Sequence, residues 1–305
     1  MFINVLTQVI ILLILIILGA VLTKGGVLTD KGVKSVTDLV LILVTPCVII
    51  KSFIREFEAS VLKNLLISFL IAFCVHLGFI ILSRLLLHSK EKASERVLQF
   101  GVIFSNCGYM SIPLQQALLG DTGVFYGSSF ISIFQLFIWS YGIILMSGDK
   151  KYLTPKKLII NPGIIGLAVG LVIFLLSIPV PKIISEPISY LASLNTPLPM
   201  IIIGYHLVQS NLFKGLKDIK CIFAIALKLV VFPLISLGVM YLCGIRGIML
   251  VSSVISCSAP TAAITTMFSS KFSADTELSV NMVSLSTVLS LVTMPAIITL
   301  TQYIA

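Results

Sequence analysis

Charge is scarce in this chain. Only 11% of its 305 residues are Asp, Glu, Lys or Arg, against about one quarter in a soluble domain. There are 12 acidic residues and three histidines, His76, His88 and His206, so acid–base catalysis is poorly provisioned. No H-E-x-x-H, Walker loop, G-x-G-x-x-G or G-x-S-x-G occurs, which removes the common metalloprotease, nucleotide, dinucleotide and serine-hydrolase signatures. The expected class is therefore not an enzyme. The six cysteines, Cys47, Cys74, Cys107, Cys221, Cys243 and Cys257, never stand at C-x-x-C spacing and fall almost entirely inside apolar runs. They read as small packing residues, with no metal site and no cofactor expected. The net charge of +9 does not indicate a nucleic-acid binder, because the bases are scattered between apolar runs and form no basic face.

What the sequence has in abundance is apolar length. It is 58% hydrophobic, with a mean hydropathy of +1.13, and a helix needs about 20 apolar residues to cross a bilayer. The reading is an all-α polytopic membrane protein. Apolar runs between polar breaks give ten spans, at 3–22, 34–54, 62–86, 95–119, 122–146, 159–178, 184–209, 219–243, 246–270 and 276–303. The first lacks a basic leader and is too long for a signal segment, so it is a retained helix. Spans four, seven and nine are weaker, carrying Ser, Asn, Gly, Thr and Pro in their middles.

Ten spans put both termini on one side, and basic residues choose the side. The loops after odd-numbered spans hold fifteen Lys and Arg, including Lys156, Lys157 and Lys214; the opposite loops hold five, and Lys228 lies within span eight. Both termini are expected outside the cytoplasmic membrane.

Short echoes suggest an internal duplication. Thr45-Pro46 recurs as Thr196-Pro197, Ser111-Ile112-Pro113 as Ser258-Ala259-Pro260, and Asp121-Thr122 as Asp275-Thr276, at offsets of 151, 147 and 154. Three matches in one order imply two five-helix repeats, 1–147 and 159–305, joined by a cytoplasmic linker at 148–158. Five is odd, so the repeats are inverted. Interrupted helices at matching places in inverted repeats mark transporter binding sites. A proline frees backbone groups, and in hydrocarbon those groups must face protein, water or substrate. Helices 4 and 9 are expected to be broken and to cross, with Asn106, Gly108, Ser111, Pro113, Gln115, Ser258, Pro260 and Thr261 as the substrate site. Helix starts gathered there favour an anion.

Val44-Thr45-Pro46, Asn106-Cys107-Gly108 with Pro113, Asn161-Pro162, Thr196-Pro197-Leu198 with Gly204, and Ser258-Ala259-Pro260-Thr261 resemble the auxin efflux carrier family, particularly its bacterial malate permease-like members. The resemblance covers essentially the whole chain. It implies a fold like the plant PIN auxin exporters and bile-acid/sodium symporters. There, spans 1, 2, 6 and 7 form a scaffold, while spans 3–5 and 8–10 form a moving bundle. It also implies organic-anion substrates and homodimers. The long hydrophilic central loop of many plant members is missing, so regulation through such a loop is not expected.

Ionisable residues inside a membrane are functional candidates; here they are Asp38, His76 and Lys228, a shortlist for coupling to H+. Asp121 and Asp275 read as N-caps. Trp139 and Tyr141 read as an interfacial belt. The function expected is secondary transport of small organic carboxylates by elevator-type alternating access. The alternatives are a Na+-coupled symporter and a membrane sensor or accessory protein. The sensor reading is weakened because no loop is long enough to hold a soluble signalling domain.

Overall fold

The computed structural model describes residues 2–153, 161–209 and 212–305, and the described residues contain helices and no strand. Part of the expected linker (154–158), with Lys156 and Lys157, lies outside them, as do the first two residues of span six. The helices are α1 Phe2–Lys24, α2 Asp30–Phe53, α3 Ala59–Leu86, α4 Lys92–Ile103 and α5 Cys107–Ser147. They continue with α6 Pro162–Leu175, α7 Lys182–Ser193, α8 Pro197–Gln209, α9 Leu212–Lys217 and α10 Ile219–Leu242. Last come α11 Gly247–Ser258, α12 Ile264–Lys271 and α13 Thr276–Ile304. Six helical stretches are long and apolar enough to cross a membrane, taking α7 and α8 as one; Ile10–Lys24, α6 and α11 are shorter apolar helices.

The outer surface is what a bilayer requires. Leu70 is 61% exposed, Val292 73% and Leu242 86%, a density of bare aliphatic side chains that water would not tolerate. Inside, the hydroxyls are spent on the backbone. Ser68, Ser128, Ser132, Ser258 and Thr301 each donate to a carbonyl three or four residues back, which satisfies a buried donor without another chain segment.

At three places a wide turn leads into a proline. Wide, π-type turns occupy Val40–Val44, Cys107–Ser111 and Leu227–Val231. Each ends one residue before the dipeptides Thr45-Pro46, Ile112-Pro113 and Phe232-Pro233. Proline brings no N–H and its ring crowds the preceding turn, so the ladder opens by one residue and continues.

Gly120 makes the sharp bend within α5 with φ 64 and ψ −158, a conformation open to glycine and costly for other residues. The bend separates the stretches read as spans four and five. Asp275 caps α13 as expected, accepting from Leu278 N at 3.0 Å. Asp121 does otherwise: beside the Gly120 bend it accepts from Gln116 Nε2 at 3.1 Å and faces Lys51 Nζ at 3.6 Å. Trp139 also departs from the belt reading, packing half-buried against Phe268 with ring centres 5.6 Å apart.

Two pairings are unusually close. α1 and α8 touch backbone to backbone: a Cβ on Gly19 would stand 2.2 Å from Ile201 O, and one on Gly204 2.1 Å from Ile16 O. The end of α2 packs on α6 through Phe53 and Phe174, with ring centres 6.4 Å apart and Phe125 against both. These pairings tie together the stretches assigned to the scaffold.

Candidate functional site

The chain is unwound at two places that meet. α4 ends at Ile103 and α5 starts at Cys107; α11 ends at Ser258 and α12 starts at Ile264. Between them, Asn106 N donates to Pro260 O at 2.7 Å and Ala262 N donates to Phe104 O at 2.9 Å. These bonds bracket an isolated antiparallel bridge between Ser105 and Thr261. Backbone groups freed by the breaks are thus satisfied across the crossing, which is the condition for irregular backbone in an apolar setting.

The crossing refines the expected positions. Pro260 lies in its break, whereas Pro113 stands inside α5, seven residues beyond Asn106, where the wide turn absorbs it. α4 and α11 end 155 residues apart, close to the Asp121/Asp275 spacing of 154. At that offset Pro260 corresponds to Ser105, so the echo of Ser111-Ile112-Pro113 in Ser258-Ala259-Pro260 joins positions that the fold does not make equivalent.

Most of the expected polar ligands serve as ties within this assembly. Gln115, fully buried, donates through Nε2 to Ser252 O at 3.0 Å and Ser256 Oγ at 2.9 Å. Ser111 Oγ donates to Ile255 O at 3.3 Å, and Thr261 Oγ1 to Gly101 O at 3.0 Å. Thr261 N donates to Ser286 Oγ at 3.2 Å, and Ser258 Oγ bonds back to Val254 O at 2.7 Å. Gly108 has open space where a side chain would be. Asn106 and Pro113 differ from the rest, because each lines a cavity.

The first cavity, about 60 Å³, is lined by Asn106, Tyr109 and Ala263 at the crossing, together with Thr37, His206 and Thr287 among others. The second, about 270 Å³, is lined by Pro113 and Gln116 on α5, with Lys51, Asn195 and Thr196 among others. Thr37 and Lys51 lie 14 residues apart on α2, about 21 Å at helical rise. The cavities therefore lie toward opposite ends of α2.

The three ionisable candidates part company. Lys228 is fully buried in the wide turn of α10, and its Nζ donates to Ser105 Oγ at the break itself. It also stands 5.4 Å from the centre of the Phe79 ring. No carboxylate pairs with it among the described residues. His76 is fully buried, stacked on Phe137 at 5.3 Å and beside Phe130 at 4.8 Å. Its Nδ1 is 2.8 Å from Ala72 O. A carbonyl only accepts, so the proton is assigned to Nδ1, and among the described residues Nε2 has no partner. Asp38 is exposed and follows Thr37 of the first cavity, near enough to Tyr109 of that cavity to act on it electrostatically. Among the described residues no group of His, Cys, Asp and Glu could hold a metal ion.

Sequence reasoning missed Ser105 as the partner of Lys228, and Tyr109, Lys51 and Asn195 as cavity residues. Asn195 carried a readable signal, a polar residue directly before Thr196-Pro197 in an apolar run. Tyr109 and Ser105 carried none beyond their neighbours.

Residues 4–298 match the membrane transport protein family. An uncharacterized transporter of Methanothermobacter thermautotrophicus is 23% identical over 289 residues, covering 93% of this chain and 94% of that protein. The chain belongs to the membrane transport family of auxin efflux carrier type and is a multi-pass membrane transporter.

Proposed function

With that membership as premise, we propose that the protein moves small organic carboxylates across the cytoplasmic membrane by elevator-type alternating access. The observation that carries the reading is the crossing: two interrupted helices, paired through their backbones, with a buried lysine at the break and a cavity on either side. Ten crossings arranged as two inverted five-helix repeats account for two breaks at one offset, and the distribution of Lys and Arg puts both termini outside.

In this reading Asn106 offers a neutral amide to the carboxylate from the wall of the first cavity. The helix starts at Cys107 and Ile264 add their positive ends. Lys228 contributes the positive charge, held behind the break by Ser105. A buried amine beside a hydroxyl and an aromatic ring, with no carboxylate pairing with it among the described residues, is costly, and an arriving anion lowers that cost, so substrate binding and the state of Lys228 are coupled. Gln115, Ser111 and Thr261 keep the bundle rigid while it moves along the scaffold. Coupling to protons is favoured over sodium, because among the described residues few carboxylates stand near the crossing to help hold a cation.

The test is uptake of a carboxylate panel (acetate, lactate, malonate, succinate, malate) into proteoliposomes, by wild type and by Asn106→Ala. Uptake of a carboxylate by wild type that is abolished in the variant, with the variant still folded, supports the assignment. Unchanged uptake by Asn106→Ala removes Asn106 from the site, and no uptake of any carboxylate refutes the substrate class. Replacing Na+ by K+ without loss of uptake separates proton from sodium coupling.

A further inference from the structure

His206 has no part in the reading above, yet it lines the same cavity as Asn106. One side of that cavity carries Asn106 and Tyr109 at the break and Ser284 on α13; the α8 side carries His206 between Ile203 and Leu207. Asn106 and Ser284 are buried, but among the described residues their side-chain polar atoms are neither hydrogen-bonded nor enclosed, so they open on the cavity. The His206 ring is exposed, and among the described residues no hydrogen bond or ion pair holds it; its ring neighbour is Tyr205, with centres 5.3 Å apart. No Lys, Arg, Asp or Glu lines this cavity among the described residues. His206 is therefore the side chain there that can present a positive charge, and it does so only when protonated. A space of about 60 Å³, some two waters at about 30 Å³ each, keeps a carboxylate head close to both sides at once.

We infer that His206 is a substrate-binding residue of the first cavity, whose imidazolium holds the carboxylate together with Asn106 and Ser284, so that one proton is taken up as each anion loads. The ligand class rests on the carboxylate reading above; the place of His206 rests on the cavity. α8 belongs to the scaffold in that reading, so a moving bundle leaves His206 behind and its proton returns to water. His206 thus sets the pH at which the cavity loads and is not itself the carrier of a proton across the membrane. The other charged and titratable groups around this part of α8 are Tyr109 on α5, Lys31, Lys34 and Asp38 on α2, Lys24 at the end of α1, and Asp30, which accepts from the Tyr205 hydroxyl. Asp38 is the rival among them, because protonating a carboxylate beside the cavity would also favour an anion at low pH. The sign for His206 is fixed: the imidazole must be charged to hold the anion, so affinity falls as pH rises.

The experiment measures how much acetate half-saturates the rise in melting temperature of the full chain in detergent, with chloride exchanged for acetate to hold ionic strength constant. Between about pH 6 and pH 8, where acetate stays ionised and imidazole loses its charge, the half-saturating concentration should rise about tenfold or more in wild type. His206→Gln should bind at both pH values as weakly as wild type does at the higher one. His206→Arg, with a permanent charge, should bind tightly at both. Asp38→Asn should keep the wild-type slope. His206 is exposed, so these variants fold. A slope that persists in His206→Gln, a slope lost in Asp38→Asn, or no acetate binding at either pH overturns the inference. Vesicle uptake by the same preparations separates the two readings: carboxylate uptake without the pH slope overturns the role of His206 alone. The slope in a protein that takes up no carboxylate refutes the transport reading and leaves His206 as a binding residue.

Discussion

Replacing Lys228 by methionine should make the protein more stable and slow its transport. Methionine keeps the unbranched stem and drops the amine. Two opposing terms follow from the surroundings of Lys228. Exchanging a buried ionic group for an apolar one of similar volume stabilises by about 1–4 kcal/mol. Losing the bond to Ser105 returns about 1 kcal/mol, while Ser105 Oγ keeps its own donor bond to Cys257 O at 3.5 Å. The net expectation is a gain of about 0–3 kcal/mol, or up to roughly 10 °C at about 2–4 °C per kcal/mol. Transport should meanwhile fall by about 10–100-fold, the loss expected when a nearby buried charge that favours the anion by about 1.4–2.8 kcal/mol is removed. Both quantities are read on one preparation, by apparent melting in detergent and by initial uptake in vesicles. A lowered melting temperature with normal uptake would refute the reasoning, making Lys228 a strut that holds the break open.

Gly204→Leu should destabilise by about 3 kcal/mol or more, the upper range for overpacking, because the obstacle at 2.1 Å is the Ile16 carbonyl; melting checks it, and an unchanged Tm would show that α1 and α8 can separate. Gln115→Ala should cost about 2 kcal/mol, from the donors lost to Ser252 O and Ser256 Oγ, whereas Asn106→Ala should leave stability nearly untouched; comparing the two melting curves distinguishes a tie from a ligand. Asp275→Ala should cost about 1 kcal/mol for its cap and also release Ser94 Oγ, which it holds at 2.8 Å; hydrogen exchange at the start of α13 should rise, and restoration by Asn would confirm capping.

Legibility in the sequence followed the physics of each feature. Long apolar runs identified the membrane helices because hydrophobicity is a sum over many residues and tolerates local error. The breaks were legible in Asn106 and Pro260, where polar and helix-breaking residues interrupt such runs. Their register was not. Pro113 looked like a break and proved to be a widened turn, because a π-type turn accommodates proline without unwinding and nothing local distinguishes the outcomes. The same limit hid the roles of Gln115 and Thr261. A buried amide or hydroxyl reads identically whether it faces substrate or a carbonyl more than a hundred residues away. Lys228 was visible as the one deep base, but its neighbour Ser105 is 123 positions distant, and no periodicity reports that contact.

The way hydroxyls and amides are spent also bears on how the proposed movement could occur. Opening the crossing itself would break the pair Asn106–Pro260 and Ala262–Phe104, along with the bonds of Gln115, Ser111 and Thr261 to the facing segment. Each broken bond would leave a polar group in a setting with few replacements. The two cavities, by contrast, are each lined on one wall by residues of the crossing and its bundle. Their other walls come from α2 together with α7 or α8, through Thr37 and His206 in one case and Lys51 and Asn195 in the other. In the proposed arrangement both cavities lie on the seam between bundle and scaffold. The proposed displacement along that seam would enlarge one cavity at the expense of the other and leave the crossing intact. A rigid crossing carried past a rigid scaffold is thus the less costly way to expose one site to two sides in turn.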